Sequence, residues 1–465
     1  MVLEAVNIKP AGAFRGLRGL DLPFVLSGGT ARSRYSYVSA DPFITVKTEG
    51  GSTTIGGEWK GQKEFGDPFS ALSRLLPEFS YPEAPPFPFS SGMAGYFSYD
   101  LKKLIEPGLK VKGDNKEDLL LPDCLLGFYD PVFVYDHLKG EGYLVSINPG
   151  KGDSGKARFE RFKKRLSAER PCSYDVSVAT ALTSNFTRAD YIASIQKAKE
   201  YISAGDIYQI NLSQRLKISW EGDPFALFLK LMEARPAPFS SFFDCGSFQI
   251  ISNSPERLLK IENGYAETEP IKGTRPRGVT PEQDCLYRHE LKMNIKEKAE
   301  HVMIVDLERN DLGRISVTGT VEVLGFEEVT TYPTLHHMAS VVKGRLRPEV
   351  TPPAALRSIF PGGSVTGAPK IRAMEIIDEL ERVRRGVYTG GIGWIDSKGN
   401  ADIAMAIRTA VYKDGSVYLH VGGGIVADSI PQDEYEETIL KAKDFLDVLG
   451  MGGIEGLRGL GALVK

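Results

Sequence analysis

Lys272 sits in TEPIKGTRPRG, residues 268–278, and is followed directly by the small pair Gly273-Thr274. Upstream, SNSPERLL places Glu256 ahead of a hairpin that can return the lysine towards its carboxyl. A carboxylic acid facing an amine is either an ordinary ion pair or an acid and nucleophile arrangement. Two further segments carry carboxylates three residues apart, Glu297 with Glu300 and Glu434 with Glu437. On a helix that spacing puts both members of a pair on one face. Taken singly, each pair also fits a solvated face. If the two helices meet, a cluster of carboxylate oxygens with few histidines favours a hard cation such as Mg2+ over zinc.

Arg408 lies in IAMAIRTAV, which reads as one strand. Its period-two face then carries Ala404, Ala406 and Ala410, and the other face carries Ile403, Met405, Ile407 and Val411. The small face leaves room for a guanidinium to hold an anion. The plain alternative is a surface arginine on a thinly covered face. In FPGGSVTGAPKIRAMEIIDELE a glycine-rich turn runs into an amphipathic helix, but Ala368 follows Gly367 where a Walker A loop needs Lys and Ser/Thr. A helix N-terminus there can hold a carboxylate, and a tight turn alone explains the glycines equally well. Gly422-Gly423-Gly424 permits either a close ligand or a bend.

These residues need elements to position them. Ala189 to Ala204 has apolar positions at helical spacing and stops at Gly205. Asn263-Gly264 between two strand-like runs is a hairpin signal, and SKGN and KDG mark further turns. Strands joined by tight turns are antiparallel, which gives an α+β class and excludes a doubly wound parallel sheet. The polar stretch from Ser167 to Phe186 separates a first region, 1–170, of short strands and a Pro-rich loop from a second, 185–450, where helices alternate with hairpins.

The totals narrow the function classes. A 465-residue chain with 42% hydrophobic residues can bury a large core, and 57 basic against 60 acidic residues leave no basic surface for nucleic acid. The N-terminus has no signal peptide and no run reaches the roughly 18 apolar residues of a membrane span, so a cytoplasmic location is expected. Cys124, Cys172, Cys245 and Cys285 lack paired spacing, which argues against structural zinc and disulfides.

Together these segments resemble the chorismate-utilising enzymes: component I of aminodeoxychorismate synthase, component I of anthranilate synthase, and the isochorismate and salicylate synthases. The most specific stretches are GDIYQINLSQR, SPERLL, EPIKGTRPRG, AEHVMIVDLERNDLGR, FPGGSVTGAPKIRAMEIIDELE and GGGIVADSIPQDEYEETILKAK. RYSYVSADPF and GMAGYFSYD extend the resemblance into the first region, and the Gly-rich tail 451–465 lies outside it. The resemblance implies large antiparallel sheets forming a two-part, β-sandwich-like core with helices packed outside.

Two positions select the branch. Isochorismate and salicylate synthases have a water-activating lysine where this chain has Gln209. Anthranilate synthases typically read PIAGT where this chain reads PIKGT, and the lysine form resembles aminodeoxychorismate synthase. On that resemblance Lys272 is the nucleophile and Glu256 the acid. Mg2+ is held by Glu300 and Glu437, with Glu297 and Glu434 directly or through water. Arg408, Tyr388 and Gly422, Gly423 and Gly424 hold the enolpyruvyl side, and Gly273, Thr274, His337, Ser364, Thr366 and Lys441 complete the substrate site. Ammonia would come from a separate glutamine amidotransferase subunit, the chain being a monomer or a heterodimer with it, and a lyase elsewhere would yield 4-aminobenzoate for folate. Leu26-Ser27 and Pro238-Phe239-Ser240 match the family's tryptophan pocket, where a structural tryptophan, a regulatory one and plain core packing all stand open. Two rival functions remain: anthranilate synthase component I, and a non-catalytic tryptophan- or chorismate-binding regulatory homologue, which should have lost the acidic, lysine or arginine positions that this chain keeps.

Overall fold

The computed structural model describes residues 1–452 except 31, 82–84, 111–115, 148–152, 168–175 and 332–334. The tail from 453 and Cys172 fall outside the described residues. The chain builds two 12-stranded sheets, antiparallel throughout. Local signals act as expected where turns are tight. Asn263 and Gly264 take φ of 52° and 78° and close the hairpin that pairs Glu262 with Tyr265, the positive-φ geometry that matches strand twist. The helix Arg188–Ser203 starts on a Thr187 cap and ends before Gly205 at φ 80°.

Both sheets are continuous across the expected boundary at 167–186. In the first sheet Phe24–Leu26 pairs with Phe239–Asp244, and in the second Gly92–Phe97 pairs with Gly391–Asp396. The two sheets stack face to face. Aromatic side chains from both, among them Phe24, Phe243, Tyr96 and Trp394, form the layer between them, each large buried side chain contributing roughly 1.5–3 kcal/mol. Two further cores lie on the outer faces. One packs beneath Arg188–Ser203, Pro224–Ala234 and Pro431–Val448, the other beneath Pro68–Leu75, Ile295–Gly313 and Pro352–Ile359. The architecture is the expected α+β sandwich with helices outside.

Among the places where the chain passes from one sheet to the other, two lie side by side in its second half. Gln249–Ser254 of the first sheet continues through Pro255 and Glu256 into Arg257–Glu262 of the second. Ala401–Met405 of the second sheet continues through 406–408 into Thr409–Lys413 of the first. The passages are tied together by Met405 N–H to the Glu256 carbonyl at 3.0 Å and Asn253 N–H to the Arg408 carbonyl at 2.9 Å. This corrects the reading of IAMAIRTAV as one strand. Arg408 takes φ 50°, a left-handed conformation that ends any strand. Its alanine neighbours share no face: Ala406 packs between the sheets and Ala410 beneath the outer helices.

Candidate active site

The seam where the sheets exchange strands gathers the chemistry. Glu256, on the first passage, is buried, and its Oε1 accepts a 2.6 Å hydrogen bond from the Ser364 hydroxyl. Burial pushes its carboxyl up to about 7, against the opposing pull of that hydrogen bond and of the Lys272 charge. Such a carboxyl can carry a proton near neutral pH.

Lys272 belongs to Ile271–Pro276, paired with Leu335–Arg345 so that Lys272 faces Met338 and Thr274 faces His337. Its Nζ lies 3.6 Å from Glu300 Oε2. Opposite is the strand Ser416–Ile425. Thr409–Lys413 pairs with it only up to Leu419, whereas Gln209–Ser219 pairs with it to Ile425. From His420 onward one edge of the glycine strand therefore carries no strand partner among the described residues, and backbone groups are available there. A β-carbon at Gly424 would lie 3.2 Å from Lys272 Nζ and 2.5 Å from Gln209 Nε2. Only glycine keeps both side chains where they are.

Gly273 takes φ 75°, and a β-carbon there would lie 2.5 Å from Leu291 and 2.9 Å from Glu297 Oε2. Its backbone hydrogen-bonds His337. Burial, reinforced by the nearby Arg408 charge, pulls that imidazole down to about 4, so it is neutral at physiological pH. Arg408 is bonded to Asp444 Oδ2 at 3.1 Å and is held below its ordinary value by loss of water, which Asp444, Tyr388 and Glu437 counter. Tyr388 is buried, stacks on His420 at 5.2 Å, and puts its hydroxyl 2.9 Å from where a Gly422 β-carbon would be.

The helix Pro431–Val448 closes the glycine strand from the other side. Lys441 donates to the Gly422 carbonyl at 2.9 Å and pairs with Glu437 at 2.7 Å. Glu434 accepts from Ser429 at 2.6 Å, and its Oε2 would lie 3.4 Å from a Gly423 β-carbon. On Ile295–Gly313, Glu297 accepts from Arg275 at 2.9 Å and Glu300 faces Lys272. Among the described residues no three His, Cys, Asp or Glu side chains converge as a metal-binding set; each carboxylate of the two pairs instead engages a nearby cation or hydroxyl. The donors are nonetheless all carboxylate oxygens, suited to a hard cation, and Glu297 Oε2 is buried without a hydrogen-bond partner.

Two expected features take a different form. The turn after Phe360 is a single 3-10 turn, Gly363–Val365, and the helix starts only at Lys370. The Gly363 N–H does meet a carboxylate, that of the chain's own Glu308 at 3.3 Å. The Thr366 hydroxyl turns back onto the Gly362 and Gly363 carbonyls at 2.9 and 3.3 Å, fixing the loop that presents Ser364.

Ser27, Pro238, Phe239 and Ser240 adjoin the seam without joining the Lys272 and Glu256 cluster, Phe239 pairing with Ser254 and Ser240 with Asn253. With Leu26 they line a cavity of about 490 Å3 between the sheets, completed by Arg257, Trp394, Asp402 and the loop Pro85–Pro88. Plain core packing does not fill it. His301 is a residue that sequence reasoning missed. It is fully buried, bonded through Nε2 to the Ser340 hydroxyl at 2.6 Å, and held down to about 4 by burial, with the Lys272 charge adding to that effect and Glu327 opposing it. Its place directly after Glu300 was the available signal.

Comparison with known proteins identifies the family. A family model described as chorismate binding enzyme matches residues 24–447. Anthranilate synthase component 1 of Acetivibrio thermocellus is 40% identical over 444 residues, 92% of this chain and 89% of that protein. Aminodeoxychorismate synthase component 1 of Salmonella typhimurium is 38% identical over 420 residues, 90% of each. The crystal structure of anthranilate synthase component I from Streptococcus pneumoniae superposes with a TM-score of 0.80 at 33% identity, covering 90% of this chain and 93% of that one. The chain belongs to the chorismate binding enzyme family and is a chorismate-utilising enzyme of its anthranilate synthase and aminodeoxychorismate synthase group.

Proposed function

We propose that the chain is the chorismate-aminating component of an aminodeoxychorismate synthase, converting chorismate and ammonia to 4-amino-4-deoxychorismate. The observation that carries this reading is the seam position of Lys272, against Gly424 and within the electrostatic reach of the buried, protonatable Glu256. Gln209 beside it has no basic group to activate water.

The Lys272 nitrogen attacks C2 of the cyclohexadiene through its lone pair. The ring electrons shift and the C4–O bond breaks, with Glu256 delivering its proton to the departing hydroxyl, which leaves as water. Ammonia then attacks C4, the double bonds return, and the C2–N bond to Lys272 breaks. Two displacements preserve configuration at C4. Arg408, the Tyr388 hydroxyl and the backbone of Gly422 to Gly424 orient the enolpyruvyl carboxylate. Neutral His337 and Ser364 complete the wall. Mg2+, held by Glu300 and Glu437 with support from Glu297 and Glu434, supplies positive charge for the ring carboxylate when bound.

The relatives are named as component 1 of their enzymes, and this chain is read likewise as acting with a separate glutamine amidotransferase. Its product would serve 4-aminobenzoate and folate synthesis. The cavity at Ser27 and Phe239 is read as a tryptophan-sized pocket. The second reading is anthranilate synthesis, favoured by the 40% identity to an enzyme of that name. Incubation of the purified chain with chorismate, Mg2+ and an ammonium salt separates the two. Fluorescent anthranilate appearing directly, with no lyase added, refutes the first reading.

A further inference from the structure

The turn that presents Ser364 to Glu256 is gripped one residue to either side of the serine. The Gly363 N–H donates to Glu308 Oε1 at 3.3 Å, and the Val365 carbonyl accepts from Arg385 Nη1 at 2.9 Å. Glu308 and Arg385 are both buried. The helix Ile295–Gly313, which carries Glu308, packs so close to the turn that a β-carbon at Gly363 would lie 2.5 Å from Leu307. The Arg385 guanidinium is itself anchored on several elements. Its Nε and Nη2 meet the two Glu381 oxygens at 2.9 and 2.7 Å, Nη1 also reaches the Thr389 hydroxyl at 3.3 Å, and Nη2 the Asn211 carbonyl at 2.7 Å. Glu381 in turn accepts from the Ser213 N–H and hydroxyl, each at 2.8 Å. A buried group with so many satisfied partners has one position, and the turn bonded to it shares that position.

We propose that Glu308 and Arg385 are positioning residues for the acid, clamping the peptide groups on either side of Ser364 so that its hydroxyl stays on Glu256. The inference rests on the reading of Glu256 as the acid. Held in place, the hydroxyl favours the ionised carboxylate; a slack turn forfeits that bond. The charged groups facing Glu256 among the described residues are Lys272 on Ile271–Pro276 and Glu308 on Ile295–Gly313, with Asp311 and its partner Lys370 behind Glu308. Burial, then the Asp311 charge and Glu256, push Glu308 up to about 8 against the pull of Lys370 and the Gly363 N–H, whereas Glu256 stands at about 7. Glu308 thus keeps its proton while Glu256 loses its own. What the acid feels is the grip on Gly363 and not a second negative charge.

The test is the pH dependence of kcat/KM for chorismate, at constant free ammonia, in Glu308→Ala, Glu308→Gln and Arg385→Lys, each alone and combined with Ser364→Ala. Glu308→Ala frees the Gly363 N–H. Arg385→Lys keeps a charge beside Glu381 but lacks the fork that serves Val365 and Asn211 as well. Each of these two should carry the alkaline limb upward by at least about half a unit, the direction expected of Ser364→Ala, and should move it no further once Ser364 is alanine. Glu308→Gln retains an oxygen for Gly363 and should leave the limb in place. If the limb rises in Ser364→Ala but not in Glu308→Ala and Arg385→Lys, the clamp alone is overturned. A rise that is equally large with and without the Ser364 hydroxyl, or a Glu308→Gln limb that rises as far as that of Glu308→Ala, overturns it too. If Ser364→Ala itself leaves the limb unmoved, the acid assignment falls and the clamp with it. Should Arg385→Lys not fold, Glu308→Ala and its glutamine rescue decide alone.

Discussion

Removing the Ser364 hydroxyl tests the acid assigned to Glu256. The Ser364 to Glu256 bond is 2.6 Å long and buried, and a hydrogen bond to a charged group is worth about 1.5–3 kcal/mol. One pKa unit corresponds to about 1.4 kcal/mol, so Ser364→Ala should raise Glu256 by about one to two units from its value of about 7. Water entering the space left by the hydroxyl would recover part of that, which makes about one unit the practical expectation. The sign follows from the role. Glu256 must be protonated to release the hydroxyl as water, so activity falls as pH climbs through its pKa, and the variant should stay active to higher pH. The assay is kcat/KM for chorismate between about pH 6 and 9.5, with free ammonia held constant so that its own titration does not intrude. An alkaline limb that stays in place in Ser364→Ala refutes the assignment, provided the variant still turns over. Glu256→Gln serves as the companion control and should abolish turnover while preserving the fold.

Lys272→Ala should lower formation of 4-amino-4-deoxychorismate by at least about a hundredfold, and trapping with ammonia withheld should give a chorismate-derived mass increment on Lys272 in the parent protein alone. Glu300→Gln should raise the Mg2+ concentration for half-maximal turnover by at least about tenfold, read from a metal titration. Gly424→Ala, whose β-carbon would lie 2.5 Å from Gln209 Nε2, should cost about tenfold or more in kcat/KM for chorismate with little change in denaturant midpoint. Arg385→Ala strands the buried Glu381, which also accepts from Ser213; about 3–5 kcal/mol of stability should be lost in urea melts.

The sequence was most readable where one residue type does one local job. Asn263-Gly264 announced its hairpin, and Gly205 the end of the helix that precedes it, because positive φ depends on a few neighbouring atoms. The carboxylate pairs and Lys272 were legible as candidates for chemistry, although only the resemblance made them a set. IAMAIRTAV misled because two-residue periodicity reports side-chain alternation and says nothing about which sheet a strand joins. Arg408 at φ 50° leaves no mark in composition. Of the 490 Å3 cavity, the resemblance marked Ser27 and Pro238 to Ser240, whereas the walls supplied by the loop Pro85–Pro88, Trp394 and Asp402 were hidden.

Strand pairing between the two ends of the chain also sets a timetable for synthesis. Gly92–Phe97 waits for Gly391–Asp396, about 300 residues later, before its outer edge is covered; at about 5–20 residues per second that is roughly fifteen to sixty seconds on the ribosome. Phe24–Leu26 waits for Phe239–Asp244. Throughout that interval the early strands present apolar, unpaired edges of the kind that recruit other chains. Slowing translation, or truncating the gene before codon 391, should therefore drive the nascent protein into aggregates or onto chaperones, whereas full-length chains released quickly should escape both.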